Sequence, residues 1–118
     1  MSQATIADAI EKFALFNELL DNAYWECSSI SNKDFIYNII SVFHHESNEL
    51  NKLSIQDHHY PYEIITESLH QVNPKLQALK LRCADMILRT RTAIEIQLIT
   101  DQVLAILEQQ EREVGDFQ

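Results

Sequence analysis

Apolar residues recur at steps of three and four through the first part of the chain: Ile6, Ile10, Phe13, Phe16, Leu20, Tyr24 and Cys27. That period places them on one face of a helix, with Glu11, Glu18 and Asp21 or Asn22 on the other. Thr5 and Asp8 stand where a hydroxyl and a carboxylate can cap the first turn reciprocally. The run closes at Ser28-Ser29-Ile30-Ser31, whose hydroxyls compete for backbone hydrogen bonds. Ser31 and Asp34 repeat the start signal. Phe35, Ile36, Ile39, Ile40, Val42, Phe43, Leu50 and Leu53 then predict a second helix to about residue 53. Its first half is β-branched and aromatic enough to mimic a strand, but the three-and-four spacing decides for helix.

Residues 54–60 predict a loop. Pro61 then opens a short third helix carrying Ile64, Ile65, Leu69 and Val72, and Asn73-Pro74 opens a fourth. From there to about Glu113 neither glycine nor proline occurs. One helix over 74–112 would be about 58 Å long, an overhang for a chain of this size. A break near Thr90-Arg91-Thr92, with Thr92 and Glu95 as a cap, is the alternative. The missing breakers favour one continuous or gently bent helix. Thr92 to Thr100 alternates with the period of a strand, but a lone strand has no partner here, so helix is expected. Gly115 marks the helix end, and residues 115–118 read as a frayed tail. The expected fold is all-α: one domain over 1–118, a small bundle of four helices, or five with the break, and a long C-terminal helix.

Composition sharpens this reading. One glycine and two prolines leave little for the hairpins and tight turns of β-rich folds, while 46% hydrophobic residues supply a core. Cys27 and Cys83 lie far apart in helical stretches and form no metal or redox spacing, so two buried, reduced thiols are expected. The opening MSQATIADAIEK has neither a basic nor an apolar leader segment, and no apolar run approaches the ~20 residues of a membrane span. A cytoplasmic protein without membrane contact is expected.

Charge directs the functional reading. The net is −9. Residues 1–70 hold eleven acids against three bases, and residues 71–118 hold seven against six. The first part therefore repels nucleic acid and anionic membranes and attracts basic partners. Small acidic helical proteins can regulate, inhibit or chaperone basic ones by this logic, with charge for encounter and an apolar centre for affinity. Glu11 and Glu18 on the first helix, with Tyr60 and Tyr62 beside the loop, are the candidate contacts. Trp25 and Tyr24 are further candidates for core or interface anchors. A homodimer along the last helix is also expected, through Leu76, Leu79, Cys83, Met86 or Ile87, Ile94 and Leu98.

Two other chemistries rank below. All five histidines fall between residues 44 and 70, interleaved with acids. His45 and Glu49 share a helical face, as do Glu67 and His70, so these four could hold a transition metal. A di-iron bundle needs two Glu-x-x-His motifs and this chain has one, and a histidine-rich oxygen-binding bundle needs later histidines. No cofactor is therefore expected in the leading reading. The third reading is nucleic-acid contact. The stretch 75–91 nets +4, and Lys75, Arg82 and Arg89 recur every seven residues along one helical face. The acidic whole and the lack of interleaved aromatics weigh against it. No nucleophile elbow or phosphate-cradling loop occurs, so a non-enzymatic role leads.

Overall fold

Thr5 caps the first helix as its spacing predicts. Its hydroxyl accepts from the Asp8 amide at 3.1 Å, and its own amide donates to the Asp8 carboxylate at 3.0 Å. A computed structural model describes residues 3–87 and 89–116, with the side chains of the last helix described through Gln109. Its helices are α1 (Ile6–Glu26), α2 (Ile30–Asn51), α3 (Glu67–His70), α4 (Asn73–Met86) and α5 (Thr90–Asp116), with a 3-10 turn at Ile55–Asp57. The all-α bundle with a long C-terminal helix is therefore as expected. Among the described residues no helix is long and apolar enough to cross a membrane.

The core follows the apolar period. Ile6, Phe13, Phe16, Leu20 and Cys27 of the α1 stripe are buried with Ala9 and Ala23, while Ile10 and Tyr24 pack at its edge. From α2 come Ile36, Ile39, Val42, Phe43 and Leu50. Phe43 meets Phe13 and Phe16 edge-on, with ring centres 5.1 and 5.0 Å apart. The second helix starts from Ser29 rather than Ser31. The connection from α1 is so short that Ser29, in extended backbone, already accepts from the Asn32 amide at 3.1 Å.

Two expectations are corrected. Residues 61–66 form no helix, and α3 is a single turn at Glu67–His70. The donors a helix would need point elsewhere. The Tyr62 amide bonds to the Ala4 carbonyl, and the Ile65 and Thr66 amides both bond to the carboxylate of Glu46, at 2.9 Å each. The strand-like contact of Thr5 with Pro61 completes this extended segment.

The last third is two helices, not one. Ile87 caps α4 in extended conformation, and α5 begins three residues later. The cause lies in Glu26 at the end of α1. One carboxylate oxygen accepts from the Arg89 amide at 3.3 Å and the other from the Thr92 hydroxyl at 3.0 Å. A carboxylate at a helix N-terminus satisfies orphan donors and complements the dipole, so no glycine or proline is required for the break. Folded back, α5 packs on α4 and α1. The Lys80 ammonium pairs with Asp101 at 2.5 Å, and the Gln97 amide donates to the Lys80 carbonyl at 3.3 Å. A helix of 27 residues is about 40 Å long, matching the 42 Å longest dimension of the molecule. It runs through Gly115 to Asp116, and of the tail expected to fray, Phe117 and Gln118 lie outside the described residues.

Candidate functional site

The outer face of α1 is a continuous exposed stripe. Glu11, Ala14, Leu15, Glu18, Asp21, Asn22 and Trp25 follow one another at helical steps, all on the side away from the core. Among the described residues no ion pair reaches Glu11, Glu18 or Asp21. Leu15, flanked by the two glutamates one turn away on either side, is 44% exposed. It borders an open groove of about 350 Å³ between α1 and α5, completed by Leu19, Glu95, Leu98, Ile99 and Gln102. Leu98 is 60% exposed there. Lys12 bridges the two helices, donating to the Gln102 side-chain oxygen at 2.6 Å. The result is an apolar groove whose α1 residue Leu15 stands one turn from Glu11 and Glu18.

The two tyrosines separate. Tyr60 is exposed, with its ring against His59 at 4.3 Å between centres. Tyr62 is buried: its ring meets Phe13 edge-on at 5.5 Å, and its hydroxyl donates to Glu46 at 2.7 Å. It anchors the extended segment, so surface contact with a partner does not fit its place. Burial first, then the Glu46 hydrogen bond, raises the Tyr62 pKa well above 10.0. Burial likewise pushes the Cys83 thiol up to about 11 and raises Cys27 above 9.0. Each group holds its proton in the fold to higher pH than in the unfolded chain. The stability this contributes is complete below the unfolded values and is withdrawn as pH rises through 9.0 for the thiols and 10.0 for Tyr62. Urea midpoints should therefore fall progressively from about pH 9 upward, and less steeply for Tyr62→Phe. A midpoint constant to about pH 11 would contradict this.

The histidine–carboxylate set does not converge. His45 Nε2 lies 4.0 Å from a Glu49 oxygen on exposed α2, while Glu67 and His70 sit on α3, where Glu67 accepts from the Gln71 amide at 3.2 Å. Among the described residues no three His, Cys, Asp or Glu side chains are placed to hold a metal ion. The basic stripe is also divided. Lys75 and Arg82 belong to α4, but Arg89 lies beyond its end, so the seven-residue spacing does not run along one helix. Lys75 donates to the Asn38 side chain at 2.5 Å. Arg82 donates to Asn32 at 2.9 Å and lies 4.3 Å over the Phe35 ring. Both cations are thus tied to α2. Of the proposed dimer seam, Leu76, Leu79, Cys83, Met86 and Ile87 are buried within the chain, and Ile94 and Leu98 remain exposed.

Sequence reasoning did not single out Leu15 or Tyr37, placed Leu98 in a dimer seam rather than at a groove, and did not foresee the burial of Glu46. The first three are apolar or aromatic residues that fall off their helices' core stripes, a signal present in the sequence. Glu46 sits in a polar run and carries no such mark. No protein-family model, no curated protein and no solved structure matches this chain.

Proposed function

We propose that this chain is a non-enzymatic regulatory, inhibitory or chaperone-like module of the cytoplasm that holds a basic segment of a partner protein on the outer face of α1. One observation carries the reading: Leu15 and Leu98 stay exposed at a groove, and Leu15 stands one turn from Glu11 and Glu18, which no ion pair reaches among the described residues. An amphipathic helix would place apolar side chains in that groove and its lysines or arginines against the glutamates. Two copies of this chain would instead set Glu11, Glu18 and Asp21 against their equivalents, on molecules of net charge −9. A homodimer through α5 would draw on Ile94 and Leu98 beside the same groove, and so would compete with the partner.

A synthetic amphipathic helix of leucine and lysine, about 18 residues long, is a sufficient probe. Calorimetry should show binding that weakens as salt is raised, and a roughly tenfold loss for the double variant Glu11→Lys, Glu18→Lys. The same double reversal at the exposed Glu63 and Glu67, away from the groove, should leave affinity unchanged. Reversal at Glu11 and Glu18 that left every association intact would remove the reading.

A further inference from the structure

The stripe of α1 ends in an aromatic surface. Trp25 is 72% exposed, and Tyr37 on α2 is 61% exposed. Tyr24 joins them, edge-on to Trp25 at 5.3 Å and 6.5 Å from Tyr37 between ring centres. Exposure on this scale is unusual for large rings in a chain with ample core, and tryptophan and tyrosine are the residues that most often dominate binding energy. The surface already holds one cation. Lys33 donates to the Tyr24 carbonyl at 2.6 Å, with its ammonium 4.6 Å from the Tyr24 ring centre and 5.5 Å from that of Trp25. That internal contact occupies the Tyr24 ring and one side of Trp25, and among the described residues no cation lies over Tyr37. Asp21, one turn before Trp25, and Asp34, one turn before Tyr37, are both exposed carboxylates. Lys33 is committed to Tyr24, and the Tyr37 ring is open to solvent one turn from Asp34.

We infer that Trp25 and Tyr37 form a receiving site for an arginine side chain of a basic partner. The inference rests on the reading of α1 as the basic-partner face, and it names the side chain the partner must carry. A guanidinium fits better than an ammonium because its plane stacks on a ring while its edge donates to a carboxylate, here Asp21 or Asp34. The apolar surface of Ile30, exposed at the start of α2 one turn before Asp34, suits the arginine's methylene stem.

Trp25 is the chain's only tryptophan, so its fluorescence reports on this surface directly. The probe is an amphipathic peptide of leucine and arginine, with a control in which citrulline replaces every arginine. With the full chain, the arginine peptide should change Trp25 emission saturably, and the citrulline peptide should bind about tenfold more weakly. Tyr37→Leu should weaken the arginine peptide by about tenfold, while Tyr37→Phe, which keeps the ring, should bind as the native chain does. Equal affinity of Tyr37→Leu and native chain, equal binding of the two peptides, or no binding of the arginine peptide would each overturn the inference. The two readings separate in the variants. Loss on Glu11→Lys, Glu18→Lys with no effect of Tyr37→Leu sinks the arginine site and leaves the α1 face standing. Loss on Tyr37→Leu alone keeps the arginine site and removes the two glutamates from the interface.

Discussion

Replacing Glu46 with alanine is expected to cost about 3–5 kcal/mol of folding stability, the largest effect of any single polar side chain described. Glu46 is fully buried in α2 and accepts hydrogen bonds from Tyr62, Ile65 and Thr66. One oxygen takes the Tyr62 hydroxyl at 2.7 Å and the Ile65 amide at 2.9 Å; the other takes the Thr66 amide at 2.9 Å and its hydroxyl at 2.8 Å. Alanine strands the Tyr62 hydroxyl and the Thr66 amide and hydroxyl where water is excluded, while the Ile65 amide is only partly buried, and an unmade buried hydrogen bond costs more than a made one contributes. Glutamine keeps the volume but turns an amide N–H₂ toward a backbone N–H that cannot rotate away. It should fall between the two, at roughly 2 kcal/mol. Urea denaturation measures both. Hydrogen exchange should show Ile65 and Thr66 losing protection first in Glu46→Gln. A loss below about 1 kcal/mol in Glu46→Ala would mean that the segment 61–66 is held by other contacts.

Phe43→Ala should cost a similar amount, about 3–5 kcal/mol, by a different route. Its ring is fully buried and stands edge-on between Phe13 and Phe16, joining α2 to α1 across the centre of the core. Truncation removes apolar area and leaves a cavity whose walls are helices already fixed elsewhere. Phe43→Leu fills most of that space and should cost under about 1.5 kcal/mol. If alanine and leucine proved equal in a urea titration, the site would collapse freely, and the edge-on packing would not be rigid.

What the sequence made legible were features set by neighbours within a few residues. The α1 stripe and its Thr5–Asp8 cap depend on spacing of three and four, and both form as spaced. The α2 helix survives its β-branched composition because Ile36, Ile39, Phe43 and Leu50 share a buried face. What stayed hidden was fixed by residues far along the chain. The turn between α4 and α5 has no local breaker; Glu26, some sixty residues earlier, supplies the cap. Residues 61–66 carry a helix signal, yet Glu46 and the Ala4 carbonyl claim their amides. Tertiary hydrogen bonds outbid local propensity in both places. The candidate surface was half legible. Glu11 and Glu18 follow from α1's polar face, but the groove beside them exists only because α5 folds back onto α1. Had residues 74–112 formed one helix, Leu98 could not have met Leu15 in this way.

The fold thus places carboxylates on the outer face of α1 that no ion pair reaches among the described residues, an apolar groove on its α5 flank and, at its C-terminal end, open aromatic rings shared with α2. Separately each is ordinary on a protein surface; together they describe a long, acidic track with an anchor at one end. The most direct test is to follow the backbone amide signals of the labelled chain by NMR while the basic amphipathic peptide is added. Shifts confined to residues 11–25 of α1, 30–37 at the start of α2 and 94–102 of α5 are the expected result. Shifts centred on α4, or spread evenly over every acidic surface, would contradict the assignment of α1 as the binding face.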